Sequence, residues 1–184
     1  PERKGGKDCL RWLATACDMD VVPALEVNGP NMAYDVLNTL TREAQQPRVL
    51  LWIGSRMQEH RDQIAIGRLA AETPWAMLMV KNQPWESEDH WKGIIGYVAD
   101  EGYGGYDRER LLVCHRGFQP SKYAPNPLGL RNLPDWKMAM NIKKEMGVKM
   151  LIDPSHIGGS KMNVLIMTEE ALAYEENGIG FDGF

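Results

Sequence analysis

Arg56, Lys81, Arg116 and the run Asp153-Pro154-Ser155-His156 are the residues of this 184-residue chain whose types and spacing could do chemistry. Each group follows a short apolar run: Ser55-Arg56 after VLLWIG, Lys81-Asn82 after AMLMV, His115-Arg116-Gly117 after LLVC, and Asp153 to His156 after KMLI. If those runs are parallel strands, the residues sit at C-terminal strand ends, which share one face of a β/α barrel and point at one cavity. Two arginines and a lysine converging there call for an anion. The planar guanidinium fork suits a phosphate or carboxylate and lysine adds a point charge, so a small phosphorylated acid is the natural occupant.

A single Arg or Lys just past a strand is more often a solvated loop charge than a ligand. Four successive strands with the same pattern outweigh that reading. A lone His156 would be read as a cap or a buried loop residue, but beside Asp153 a metal-ligand or acid/base role is comparable. His115 precedes Arg116 and can point away from the cavity, and His60 and His90 fall on expected helices. Cys114 lies in an apolar run and reads as core. Gly158-Gly159 could let the backbone approach a phosphate or could be plain loop.

The elements that must position these groups alternate along the chain. Strands are expected at Val21 to Val27, Val49 to Ser55, Ala76 to Lys81, Leu111 to Arg116 and Met150 to Ser155, with a sixth beginning at Gly180. Between them lie helical spacings: Leu10, Leu13, Ala14, Cys17; Val36, Leu37, Leu40, Ala44; Trp91, Ile94, Ile95, Val98 after the N-cap Ser87; Trp136, Ala139, Met140, Met146, closed by Gly147; and Val164, Met167, Ala171, Leu172, closed by Gly178. A strand about every 30 residues with a helix between is the pattern of parallel strands with crossovers, hence α/β. Gln119 to Pro134 is one long loop after a strand, and such loops are usually functional. Periodicity fits an open doubly wound sheet or part of a barrel. The barrel is favoured because the chemistry follows four different strands rather than one glycine-rich turn.

Composition removes other classes. With 21 Lys and Arg against 25 Asp and Glu and a net charge of -4, nothing favours nucleic acid. No run reaches the roughly 18 to 20 apolar residues of a membrane span. Three cysteines without a CxxC spacing suggest neither a disulfide framework nor a zinc ribbon, and a cytoplasmic setting fits best.

Taken in order, IGSR, VKN, CHRGF, RNLPDW and DPSHIGG resemble the type I 3-deoxy-7-phosphoheptulonate synthases, of the branch related to 3-deoxy-octulosonate 8-phosphate synthase. The resemblance runs from about residue 8 to the end. Octulosonate synthases usually carry DATH where DPSH stands here. The resemblance implies a (β/α)8 TIM barrel of which this chain, as a single partial domain over 1–184, supplies about strands three to eight. It implies that Arg56, Lys81 and Arg116, with Ser55, bind phosphoenolpyruvate, that His156 ligates a divalent metal, and that Asp153 supports it. It implies a condensation in which phosphoenolpyruvate attacks the aldehyde of erythrose 4-phosphate through C3, water adds at C2 and phosphate leaves, opening the shikimate route to aromatic amino acids. A homo-oligomer is also implied.

The family's GPC and KPRT motifs do not occur here, nor do its later glutamate and aspartate ligands, so of the expected metal ligands only His156 has a counterpart. One histidine leaves Mn, Fe, Co and Zn all open. Six strands leave open parallel edges, so the chain is expected to be part of a longer protein or to borrow strands from a partner. Alternatives within reach are an octulosonate 8-phosphate synthase, another phosphoenolpyruvate-condensing synthase, and a non-catalytic phosphoenolpyruvate-binding barrel.

Overall fold

The computed structural model describes residues 6–184. Helix α1 (Gly6–Asp18) leads into β1 (Ala24–Val27), α2 (Pro30–Glu43), β2 (Val49–Ile53), α3 (His60–Ala71), β3 (Ala76–Lys81), α4 (Glu88–Ala99), β4 (Leu111–His115), α5 (Trp136–Met146) and β5 (Lys149–Ile152). Two helices follow, α6 (Pro154–Gly158) and α7 (Lys161–Ala173), then a short ribbon of β6 (Glu175–Glu176) and β7 (Ile179–Gly180).

Strands β1 to β5 form one parallel sheet in the order β1-β2-β3-β4-β5. A doubly wound sheet reverses its order at a switch point. This one never reverses, and each of α1 to α4 contacts the next helix in sequence. Winding in one direction is the winding of a β/α barrel, so the topology decides between the two architectures that periodicity left open.

Alternation along the strands divides the sheet into two faces. Val49, Leu51 and Ile53 of β2 stand in register with Ala76, Leu78 and Val80 of β3, and Leu78 and Val80 with Leu111 and Val113 of β4. All are buried, in one apolar cluster with Val36, Leu40, Ile66, Trp91, Ile95 and Ile142 of the helices. The opposite parity carries Trp52, Lys81 and Cys114, which face the inside of the curve.

Local chemistry sets the helix ends. Ser87 caps α4 by accepting the His90 N–H, Asp135 caps α5 by accepting the Met138 N–H, and Gly147 closes α5 with φ 64°. Three expectations are corrected. Strand β1 starts at Ala24, and Val21 and Val22 are exposed. Strand β5 stops at Ile152, because the Asp153 carboxylate accepts the His156 N–H and starts α6 there. Helix α7 ends at Ala173, well before Gly178; Asn177 (φ 54°) and Gly178 (φ 77°) are the two-residue turn of the β6–β7 ribbon, the pair that such turns favour.

Gly180 therefore belongs to that ribbon and does not begin the sixth strand. Pairing with β5 begins beyond it, where the Asp182 N–H donates to the Met150 carbonyl (2.8 Å) and the Ile152 N–H to the Gly183 carbonyl (3.0 Å). Leu151 and Gly183 form a parallel bridge, so the sheet is extending in the same direction. Among the described residues no helix is long and apolar enough to cross a membrane.

Helices α3 and α4 pack closely enough that a Cβ on Gly67 would lie 2.6 Å from the Val98 carbonyl oxygen. Helix propensity favours Ala over Gly by about 1 kcal/mol, while overpacking costs about 1–3 kcal/mol. Packing is expected to win. Gly67→Ala should lower the urea midpoint; a raised midpoint would show that the two helices can part without cost.

Candidate functional site

The inward parity that carries Trp52, Lys81 and Cys114 continues into the residues just past the strand ends. Glu26 of β1, Arg56 past β2, Lys81 of β3, Arg116 past β4 and Asp153 past β5 all share it. Arg56, Lys81 and Arg116 line one cavity of about 410 Å³, together with Glu26, Ser55, Arg131, Asn132 and His156. Three larger hollows, of about 560, 620 and 450 Å³, lie between α2 and α3, beside Trp85, Trp136 and Tyr174, and beside Glu26 and Arg56. None gathers more than one of the strand-end cations. The convergence expected from sequence for Ser55, Arg56, Lys81, Arg116 and His156 is present, with Asp153 directly behind.

Asp153 joins two of these groups. Its Oδ2 lies 2.6 Å from Lys81 Nζ and 2.7 Å from His156 Nδ1, while Oδ1 accepts the His156 N–H at 3.0 Å. Burial pushes the Asp153 carboxyl up, but the hydrogen bonds from Lys81 and His156 outweigh it and hold the group below the ordinary carboxylate value. It is therefore an anion that pairs with Lys81 and holds it in place. Lys81 Nζ also stands 5.4 Å from the Trp52 ring centroid, a cation–π contact. With Nδ1 of His156 donating to Asp153, Nε2 is the nitrogen left to take a ligand.

Arg116 is only 8% exposed. Its backbone N–H donates to Asn82 Oδ1 (2.7 Å), and Asn82 Nδ2 donates to the carbonyls of Gln83 and Gly117 (2.9 and 3.1 Å). Buried Asn82 thus fixes the strand end from which Arg116 projects. The Arg116 Nε has no hydrogen-bond partner. Burial, reinforced by the charges of Arg131 and Arg56 and opposed by Asp153, pulls the guanidinium below its ordinary value. A buried, unsatisfied guanidinium beside two like charges is an arrangement that a bound anion relieves.

Other sequence candidates lie elsewhere. His115 has the opposite parity from Arg116 and points to the helices, fully buried, stacked on Trp91 with centroids 5.2 Å apart. Its Nε2 accepts the Asp135 N–H at 3.0 Å. His90 Nε2 donates to Gln58 Oε1 (2.7 Å), and His60 is exposed at the start of α3. Cys114 is buried, its thiol pushed up to about 12, mainly by burial. Gly158 and Gly159 close α6, where a Cβ would meet the Asn163–Val164 backbone and Arg131 respectively, so their small size serves packing.

Sequence reasoning gave no role to Glu26, nor to Arg131 and Asn132, which it met only inside RNLPDW. Glu26 has a readable signal, an acid at a strand end with the inward parity. Gly54 confirms its orientation, since a Cβ there would lie 1.9 Å from Glu26 Oε1. Asn132 and Arg131 follow a long irregular loop, and no spacing rule reaches across it. Among the described residues no group of three His, Cys, Asp or Glu side chains could hold a metal ion. His156 suits a metal as one ligand, but these residues do not complete a metal site.

Two solved structures resemble the chain. One is phospho-2-dehydro-3-deoxyheptonate aldolase (DAHP synthase) from Thermotoga maritima, with TM-score 0.70 and 22% identity over 97% of this chain and 45% of that one. The other is a truncated form of 3-deoxy-D-arabino-heptulosonate 7-phosphate synthase from the same organism, with TM-score 0.70 and 22% identity over 98% and 59%. The chain thus has the β/α-barrel fold of these synthases and spans about half of their length. No family model matches it, and neither does any curated protein.

His115 supports a pH prediction. Burial, with Arg116 adding to it, lowers its pKa from 6.5 to about 3. Between those values the unfolded chain binds the extra proton, so His115 makes stability fall as pH drops from 6.5 toward 3. Urea titrations across this window should show a shallower pH slope for His115→Gln than for the unchanged protein. Identical slopes would remove His115 as the cause.

Proposed function

We propose that this chain forms the phosphoenolpyruvate-binding part of a 3-deoxy-7-phosphoheptulonate synthase, which condenses phosphoenolpyruvate with erythrose 4-phosphate and releases phosphate. The observation that carries this reading is the buried Arg116, with an unpartnered Nε, in one cavity with Arg56 and Lys81 at consecutive strand ends. The likeness in fold to two such synthases supports it.

In this reading Arg56 and Arg116 neutralise the phosphate and carboxylate of the bound acid, and Lys81 adds a point charge beside them. The reaction joins C3 of phosphoenolpyruvate to the aldehyde carbon, adds water at C2 and expels the phosphate. The arginines stabilise negative charge that grows on the leaving phosphate. Lys81 does not have to be recruited at that moment, because Asp153 already holds it. From that position its ammonium can donate a hydrogen bond to a neighbouring oxygen of the bound acid. Asn82 keeps Arg116 in register, and the Trp52 ring restricts Lys81 from the other side.

His156 would be one ligand of a divalent metal, through Nε2, with the other donors in the part of the barrel that this chain does not form. When bound, that ion would polarise the aldehyde of the four-carbon sugar. A homo-oligomer would cover open sheet edges. A non-catalytic, phosphoenolpyruvate-binding barrel is the second reading, favoured by the lack of a three-ligand metal cluster among the described residues.

Isothermal titration of phosphoenolpyruvate, with and without manganese, tests the binding claim. Charge-assisted hydrogen bonds of about 1.5–3 kcal/mol imply that Arg116→Ala weakens binding roughly 10- to 150-fold. Equal affinity in the variant would sink the site. Phosphate release that needs both substrates and is lost in Lys81→Ala separates the enzyme from the binder, which would bind without turnover.

A further inference from the structure

Arg131 has no part in the reading above, yet it is anchored on α6 together with its neighbour Asn132. Its N–H donates to the Ile157 carbonyl (2.9 Å), the Asn132 N–H reaches the same carbonyl (3.2 Å), and Asn132 Nδ2 donates to the carbonyl of His156. Phe118 and Leu133 exchange two hydrogen bonds of 2.8 Å and close the long loop at its base. Gly159, at φ 69°, leaves the space that the Arg131 side chain enters: a Cβ there would lie 2.7 Å from Arg131 Cβ. An ordinary solvated loop arginine needs no such seat.

The side chain leaves this fixed point into the cavity that Arg56, Arg116 and His156 line. Among the described residues the ion-paired arginines are Arg48 and Arg108, so Arg56, Arg116 and Arg131 each face the cavity without a carboxylate partner. Lys81 is already matched by Asp153. Three unmatched guanidiniums exceed what one carboxylate can engage, since a single fork saturates its two oxygens. A phosphate has three free oxygens and up to two charges, so it can take a second fork. The charge of Arg131 also bears on Arg116 more than that of Arg56 does.

We propose that Arg131 is a specificity-determining residue that, with Arg116, grips the phosphate of the bound acid and makes the cavity favour a phosphate dianion over a carboxylate. This rests on the phosphoenolpyruvate reading. Arg56 then remains for the carboxylate end.

The test titrates phosphoenolpyruvate, inorganic phosphate and oxalate into the full chain and its Arg131→Ala, Arg131→Lys and Arg116→Ala variants. Arg131 is exposed, so its variants should melt with the unchanged protein. Arg131→Lys, which keeps the charge, serves if Arg131→Ala does not fold. Arg131→Ala should lose about tenfold in affinity for both phosphate-bearing probes, the equivalent of one charge-assisted hydrogen bond, and keep its affinity for oxalate. Arg131→Lys should recover part of the loss, as a point charge without the fork. Between pH 5 and 8 the gain in phosphate affinity as the dianion forms, near pH 6, should be smaller in Arg131→Ala than in the unchanged chain. Unchanged phosphoenolpyruvate binding in Arg131→Ala, with Arg116→Ala impaired, overturns this inference alone, as does an equal loss for oxalate. A folded, unchanged chain that binds no phosphoenolpyruvate overturns the functional reading and this inference with it.

Discussion

One carboxylate holds the inner face of this sheet together. Asp153 joins β3 to α6 through Lys81 and His156, and it does so with little exposure to water. An ammonium, a carboxylate and an imidazole left apart there would each carry a desolvation cost; bonded to one another, they offset most of it. The same bonds set the chemistry. They hold Lys81 in place, orient the imidazole, and balance one cation so that the arginines supply the net positive field. Removing Asp153 would free all three settings at once.

The layout of the site was legible where it depends on periodicity. Residues two apart in a strand share a face, so Arg56, Lys81, Arg116 and Asp153 could be assigned to one cavity once the runs before them were read as parallel strands. The same rule puts His115 on the helix side. It also reaches Glu26, which went unread because its strand lacks the cation that marked the others. Asn132 and Arg131 are different in kind: their position depends on bonds to Ile157 and His156, far along the chain, and no local pattern carries that information. The boundary of β5 was misjudged for a related reason. Asp153 reads as the end of an apolar run, yet its side chain begins the next helix, and capping overrode strand propensity.

The architecture was decided by an order of strands rather than by any residue. Periodicity allowed two windings, and the monotonic order β1-β2-β3-β4-β5 left one. Curvature in that sense places all C-terminal strand ends on one rim, which is why modest side chains from separate strands can act on one ligand. The parallel bridge at Gly183 shows the winding continuing past β5. The apolar parity that packs on the helices and the polar rim that meets the cavity are two readings of one alternation, so core substitutions and site substitutions fall on different residues of the same strand.

The exchange of hydrogen bonds between Phe118 and Leu133 has an evolutionary side. It makes the intervening segment a cassette whose stem is fastened independently of its contents. Lengthening such an excursion costs only about 0.6 kcal/mol for each doubling. Insertions, deletions and rewriting over residues 120–129 can therefore accumulate without moving Arg116 just before the clasp or Arg131 and Asn132 just inside its far end. Selection could work on the cassette while the cationic lining of the cavity stays as it is.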